Sequence, residues 1–416
     1  MKLSIGYVGL SHLGINYAIS STMKGFNVVC YDDDINIISS LQKKKIPFYE
    51  KNTEKNLKKR FKQFKFTNKT NDLKNCDLVF ISQDVPTNLH GKSNLIKIKK
   101  LIKKIIKVIK KECNLIILCQ VPPGFTRSID WPDNKLFYQV ETLIFGKAIN
   151  RALFPERIIV GCQNKSHDIN PVYLRYLRSF KCPIIRMKYE SAEIAKISIN
   201  LLLAASVTTT NILSELCENM SADWQDIIPA LKLDKRIGKF SYINPGLGIA
   251  GGNIERDIVT IKDMLKKDLP PYLLLKNILE NSKYMRNWVI RVLNKEKILN
   301  RKIKIGIVGA TYKENTNSVK NSPAIELLQY LKKNNNISIY EPMLNLDLKN
   351  KNIKQANNLK TLIKKNKVII FMRPWKNKKS IEYIYKNLKN KIIIDPYRVI
   401  DFKNKKSKIN KYFTMG

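Results

Sequence analysis

An α/β fold, with two Rossmann-like doubly wound parallel sheets on either side of a central helical domain, is what the sequence predicts, on three observations. Two buried-strand patterns each run straight into a glycine-containing turn, at residues 3–14 and again at 303–313. After the first, strand-like runs alternate with helical ones, the pattern of strand–helix–strand units that build a parallel sheet. From about Ser191 through Cys217, alanine and leucine replace β-branched residues and the pattern becomes that of one long helix. The boundaries read from these changes are 1–185 for the first sheet domain, 186–298 for the helical domain and 299–416 for the second sheet domain.

The first opening runs Leu3-Ser4-Ile5-Gly6-Tyr7-Val8 into Gly9-Leu10-Ser11-His12-Leu13-Gly14, a G-x-S-x-x-G turn followed by an apolar helix face at Ile15, Ala18, Ile19 and Met23. A turn of this kind presents a helix N-terminus to a pyrophosphate. Its first glycine permits the tight bend and its last lets the helix pack close. Ser11 stands where the middle glycine would be and is expected to crowd the anion only in part. The next strand, Asn27-Val28-Val29-Cys30-Tyr31, ends in Asp32-Asp33-Asp34, at about the spacing of an acid that takes the adenosine ribose hydroxyls and repels a 2′-phosphate. NAD is therefore expected over NADP, bound by Gly9, Ser11, His12, Leu13, Gly14 and Asp32. The bland alternative is a turn that holds no phosphate and acids that are merely solvated.

Strand-like runs at 78–82, 115–118 and 136–140, with a helix around 95–109, continue the sheet. Ligand loops in such sheets follow the carboxyl ends of the strands. Those ends carry Val85-Pro86-Thr87 with Gly91 beyond, Gln120-Val121-Pro122-Pro123-Gly124, and Glu141. On the long helix Lys196 and Asn200 are spaced i, i+4, so an ammonium and an amide project from one face. Such a pair can hold an alcohol oxygen and stabilise the negative charge that develops as a hydride departs. Two residues alone would equally describe a solvated lysine beside a surface asparagine. Downstream, 244–257 reads N-P-G-L-G-I-A-G-G-N-I-E-R-D, a loop whose backbone approaches a ligand closely before a helix starting near Asp257.

Composition sets the class. The chain has 416 residues, 44% of them hydrophobic, enough for two or three cores. Its seven cysteines include no C-x-x-C pair and read as small buried hydrophobes of a reducing compartment. Histidines at 12, 90 and 167 are scattered, so no metal site is expected. The chain begins directly on a fold strand, and no uninterrupted apolar run approaches membrane-spanning length. A cytoplasmic protein with no membrane partner is expected. The formal charge of +42 would suit nucleic acid, but the lysines are dispersed with isoleucine and asparagine through every segment, and no recognition helix or aromatic platform stands out. No specific nucleic-acid partner is expected; tight nucleic-acid binding is the alternative for the charge alone.

Taken in order, these segments resemble the UDP-glucose/GDP-mannose dehydrogenase family over almost the whole chain. Val121-Pro122-Pro123-Gly124 corresponds to its V-P-P-G, Glu141-Thr142-Leu143-Ile144-Phe145-Gly146 to E-F-L-R-E-G, and Phe154-Pro155-Glu156-Arg157-Ile158-Ile159-Val160-Gly161 to P-D-R-I-V-I-G. Glu193 to Lys196 with Asn200 matches E-x-x-K-x-x-x-N, and Asp234-Lys235-Arg236-Ile237-Gly238 matches D-x-R-I-G. Near the end Tyr312-Lys313-Glu314-Asn315-Thr316 with Ser322-Pro323 is similar to F-K-x-N-T…S-P, and Asp395 with Arg398 falls at D-G-R. The resemblance implies an N-terminal NAD domain, a central helical dimerisation domain and a C-terminal domain for the UDP of a sugar nucleotide. It implies two successive oxidations at C6 of a UDP- or GDP-sugar, UDP favoured, in a homodimer or higher homo-oligomer.

Carried over by position, Lys196 and Asn200 stabilise the C6 oxygen while Asp257 and Glu141 manage water and protons. Pro86, Thr87 and Gln120 join the cofactor loop. Arg236, from this chain or a partner, Tyr242, Asn244, Gly248, Lys313 and Arg398 face the sugar nucleotide. The family's G-Y-G-G-S-C-F-P-K-D supplies a cysteine nucleophile, but Asn253 occupies that catalytic position here, and Arg256 replaces the lysine. Gln120 replaces the threonine of S-T-V-P-P-G. An amide is a poor nucleophile, so the second oxidation is expected to be non-covalent or incomplete. The alternative is a catalytically silent nucleotide-sugar and NAD-binding homologue that scaffolds or regulates polysaccharide synthesis.

Overall fold

The computed structural model describes residues 3–88, 91–164, 168–301, 303–333, 336–348, 352–375, 377–400 and 409–416; His90 and His167 lie outside them. The chain divides into two compact units, 1–199 and 200–416.

In the first unit the elements run β1 (Ser4–Val8), α1 (His12–Met23), β2 (Asn27–Tyr31), α2 (Ile35–Gln42), α3 (Thr53–Arg60), β3 (Phe64–Thr67), β4 (Leu78–Ile81), α4 (Ile96–Ile106), β5 (Asn114–Ile117), β6 (Leu136–Gln139), α5 (Ala148–Leu153), β7 (Ile158–Cys162), α6 (Pro171–Arg178), β8 (Ile184–Lys188) and the start of α7 (Tyr189–Met220). They form an eight-stranded sheet in the order β3-β2-β1-β4-β5-β6-β7-β8. Strands β1, β4, β5 and β6 are buried along nearly their whole length, as in a sheet covered by helices on both faces. On α4 the sequence I-K-I-K-K-L-I-K-K-I-I puts Ile98, Leu101, Ile102 and Ile105 into the core, with lysines between them. The expected all-parallel sheet needs one correction: β6 and β7 pair antiparallel. The chain between them carries the short α5 and returns against β6.

The second unit continues with α8 (Trp224–Leu233), α9 (Asn253–Met264), α10 (Pro270–Arg286), α11 (Trp288–Lys295), β9 (Ile305–Val308), α12 (Pro323–Tyr330), β10 (Ile337–Tyr340), β11 (Ile353–Gln355), α13 (Leu359–Lys365), β12 (Val368–Phe371), α14 (Lys378–Lys386), β13 (Ile392–Ile394) and β14 (Lys411–Phe413). Its six-stranded sheet is parallel throughout, ordered β11-β10-β9-β12-β13-β14. That order repeats the β3-to-β6 order of the first sheet. The repeat extends to residues: Ile5-Gly6-Tyr7-Val8-Gly9 and Ile305-Gly306-Ile307-Val308-Gly309 each end on a glycine in the left-handed region, at φ +88 and +93.

In the second sheet Glu341, just past β10, accepts hydrogen bonds from the N–H groups of Ala310 and Thr311 at 2.9 and 3.1 Å, from the Thr311 hydroxyl at 3.1 Å and from the Met343 N–H at 3.0 Å. Buried Arg373 lies 3.5 Å from the same carboxylate. Asp395, at the end of β13, is wholly buried, and burial pushes its carboxyl up to about 6 against hydrogen bonds from the Val399 and Ile400 N–H groups and the Tyr412 hydroxyl.

Two sequence expectations change. Cys182 is only half-buried, unlike the other six cysteines. Helix α7, 32 residues with a mean hydropathy of 1.4 over its most apolar window, is long and apolar enough to cross a membrane by length and composition, although only 28% of that window is buried. Its charged residues sit near the two ends, which is why the middle is apolar enough. Its outward positions Leu202, Ile212, Leu216 and Met220 are exposed.

Candidate active site

At the first turn the glycines do what the motif requires. Gly9 sits at φ +88, where a Cβ would come within 2.6 Å of the Gln83 backbone, and a Cβ on Gly14 would meet the Gly9 carbonyl at 2.2 Å. Substitution at either position therefore forces the turn open. Ser11 stands at the middle position of the turn. Its hydroxyl donates to the Ser82 carbonyl at 2.9 Å and makes no cap bond to α1, so the first N–H groups of α1 keep their ordinary open positions for an anion.

The three acids divide their work. Asp32 is buried and accepts from the Leu10 N–H at 2.7 Å and the Asp34 N–H at 2.9 Å. Asp34 caps α2 through the Asn36 N–H. Asp33 pairs with Lys104 at 2.6 Å on the surface. Asp32 is thus fixed against the turn as a ribose acid must be, and the open α1 terminus beside it fits a dinucleotide. Asp32→Ala is expected to weaken NAD by about tenfold and to narrow the preference over NADP. Titration of both cofactors checks it, and unchanged NAD affinity would reject the assignment.

His12 turns sideways from this loop. Its Nε2 lies 2.8 Å from Glu50 Oε2, and its ring packs on Phe145 at 4.0 Å between centroids. Glu50 also accepts from the Gly146 and Ala148 N–H groups at 2.9 and 3.3 Å, pinning the loop that follows Glu141. Burial pushes the Glu50 carboxyl up, yet the hydrogen bonds from His12, Gly146 and Ala148 outweigh it and hold it below the usual range. Pro86 and Thr87 lie between β4 and α4, with Pro86 accepting from the Asn94 N–H at 2.8 Å and Thr87 bridging to Ser93. Gln120 follows β5.

Beyond β6, Glu141 forms an ion pair with Lys196 at 2.7 Å, both largely shielded from solvent. The pairing fixes the ammonium while leaving it further donors. In the second unit Asn200 donates through Nδ2 to Asp257 Oδ2 at 2.6 Å; both are buried. Arg256 reaches the other oxygen of Asp257 at 3.6 Å. Helix α9 begins at Asn253, one turn earlier than the glycine-rich sequence suggested, because Gly252 serves as its N-cap. Asn253 is exposed at its first position, and Asp257 lies a turn further in, on the buried side.

The glycine loop before α9 is held from several directions. Gly246 N–H donates to Asn211 of α7 at 2.9 Å, Ile249 N–H to the Ser282 hydroxyl at 2.8 Å, and Gly251 N–H to the Lys320 carbonyl at 3.0 Å. At φ +70, a Cβ on Gly248 would meet the Ser282 carbonyl at 2.3 Å. Asn244 and Tyr242 are exposed beside it, and Lys313 lies over the Tyr312 ring. Arg236 and Arg398, expected to face the sugar nucleotide, each have an acidic partner. Arg236 is almost fully exposed and pairs with Asp234 at 2.7 Å, two residues away. Arg398 is taken up by Asp223 at 2.9 Å and by the Gly416 carbonyl. Sequence reading missed Glu50, Asn211 and Ser282, and quoted Glu193 in the E-x-x-K-x-x-x-N match without a role. Glu193, buried one turn before Lys196, accepts from the Gly124 and Thr126 N–H groups at 2.6 and 2.9 Å; burial raises its carboxyl, with these bonds pulling against it. Among the described residues no group of three or more His, Cys, Asp or Glu side chains could hold a metal ion.

Comparison with known proteins agrees with this arrangement in chain order. Residues 2–177 match the profile of the UDP-glucose/GDP-mannose dehydrogenase family, NAD binding domain; residues 190–283 match that family's central domain; and residues 306–402 match its UDP binding domain. The UDP-glucose 6-dehydrogenase of Rickettsia typhi is 28% identical over 442 residues, covering 100% of this chain and 99% of the relative. That of Campylobacter jejuni is 29% identical over 382 residues, covering 89% and 93%. The fold is that of the UDP-glucose dehydrogenase structure from Pyrobaculum islandicum, at a TM-score of 0.86 and 20% identity over 99% of this chain and 97% of that one. With three domains of one family matched in sequence, the chain belongs to the UDP-glucose/GDP-mannose dehydrogenase family.

Proposed function

We propose that the protein is an NAD-dependent nucleotide-sugar dehydrogenase that oxidises the C6 alcohol of a UDP- or GDP-sugar, UDP favoured, and that it does so without a covalent enzyme intermediate. The observation that carries this reading is the pair of buried, partnered groups on consecutive turns of α7: Lys196 fixed by Glu141, and Asn200 fixed by Asp257. NAD supplies the hydride acceptor when bound. Lys196 and Asn200 donate to the C6 oxygen and stabilise the charge that grows on it as the C–H bond breaks. The hydroxyl proton passes to water held by Glu141 or Asp257. Water adding to the resulting aldehyde gives a hydrate, itself an alcohol, so the same two donors can serve a second, slower oxidation. Asn253 offers no nucleophile for a thiohemiacetal. Two outcomes follow, release of aldehyde or slow formation of the acid, and NADH formed per sugar consumed separates them. Thermal shift with UDP- and GDP-sugars in the presence of NAD identifies the nucleotide, because specific ligands raise apparent stability by mass action. Binding of both ligands with no turnover would favour the silent, scaffolding reading instead.

The exposed apolar side chains of α7, Leu202, Leu216 and Met220 among them, support a homo-oligomer, since a monomer would leave them in water. Light scattering is expected to give a dimer or larger species, and Leu216→Lys to shift it toward monomer. A monomeric unaltered protein at all concentrations would refute the assembly.

A further inference from the structure

Glu193 sits on α7 one turn before Lys196 and is wholly buried. Its two oxygens each take a backbone N–H from the segment after β5: Gly124 at 2.6 Å on one, Thr126 at 2.9 Å on the other. Gly124 is at φ +87, so the loop turns sharply there to present its N–H inward. A second, outer tie joins the same segments, with Arg127 pairing with Glu190 and donating at 3.0 Å. The loop so held begins at Gln120. The sheet order β2-β1-β4-β5-β6 places its members along a dinucleotide lying across the strand ends. Asp32 after β2 marks the adenosine half and the turn after β1 the pyrophosphate, so the ends of β5 and β6 lie toward the nicotinamide half.

We infer that Glu193 is a positioning residue for that half: its ionised carboxylate locks the Gln120–Gly124 loop to the helix that carries Lys196, so the loop and the lysine keep one fixed spacing. This rests on the dinucleotide reading of the first unit. A glutamine in its place has one acceptor oxygen and turns an NH₂ toward one of the two N–H groups, so one tie is replaced by a donor–donor contact. The outer Arg127–Glu190 pair keeps the segment folded.

The test compares NADH with ADP-ribose, which has the adenosine, pyrophosphate and ribose but no nicotinamide, by calorimetric titration of the unaltered protein, Glu193→Gln and Glu193→Asp. Glu193→Gln is expected to weaken NADH about tenfold while leaving ADP-ribose within about twofold, because one buried tie replaced by a donor–donor contact costs on this scale. Glu193→Asp, which keeps the charge but falls short by one methylene, is expected to do the same and serves if the glutamine variant does not fold. Equal losses for both ligands would mean a purely structural role and overturn the inference; unchanged NADH affinity would overturn it too. If the unaltered protein binds neither ligand, the dinucleotide reading itself fails and takes the inference with it.

Discussion

Lys196→Met is expected to lower kcat by about 10²–10³-fold, the usual loss when one preorganised donor to a developing oxyanion is removed. Methionine keeps the unbranched stem, so packing on α7 survives, while Glu141 loses its partner at 2.7 Å. A carboxylate left shielded without its cation also costs stability, so a modest fall in melting temperature should accompany the loss. NADH binding should persist, because the turn at Gly9–Gly14 and Asp32 are untouched. Following NADH absorbance under saturating sugar nucleotide measures the effect. A variant keeping more than about a tenth of the activity would remove Lys196 from the chemistry.

The opposite kind of result is expected from Asn253→Cys. Position 253 is exposed at the first turn of the twelve-residue α9, where unpaired N–H groups and the helix dipole favour a thiolate. Thiolate addition to the aldehyde gives a thiohemiacetal. Loss of its C–H hydride leaves a thioester, and water releases the acid and the thiol. The variant should therefore form two NADH per sugar with the second step at least about tenfold faster than in the unaltered protein, in line with covalent catalysis splitting a hard step into two easier ones. Mass spectrometry of the quenched variant should find an acyl adduct at residue 253, and none on the unaltered protein. An adduct on any of the seven native cysteines would sink the non-covalent proposal.

What could be read in advance was whatever leaves a mark in residue type at short range. Gly9 and Gly14 are forced by backbone geometry, Asp32 by its distance from that turn, and Lys196 with Asn200 by helical spacing. The roles of Glu50 and Glu193 left no such mark, because each holds backbone N–H groups, 96 and 69 positions away, and any residue supplies an N–H. Strand direction was likewise hidden at β7, since a strand buried along its length has the same pattern whichever way it runs. The start of α9 was misplaced for a related reason: glycine density suggests loop, yet one glycine suffices as an N-cap. Arg398 was placed by its position in the family's D-G-R alone, and only the fold shows Asp223 and the Gly416 carbonyl beside it.

The two repeated sheets differ in how many lone pairs their acids have left. A carboxylate offers about four acceptor positions. Asp32 takes one N–H on each oxygen, from Leu10 and Asp34, which leaves room for the two hydroxyls of a ribose. Glu341, at the equivalent strand end, receives Ala310, Thr311 twice, Met343 and the Arg373 guanidinium, and its valence toward donors is full. One glycine turn is therefore an open receptor and the other a closed one. Of the two equivalent acids, only the first has acceptor positions left for ribose hydroxyls.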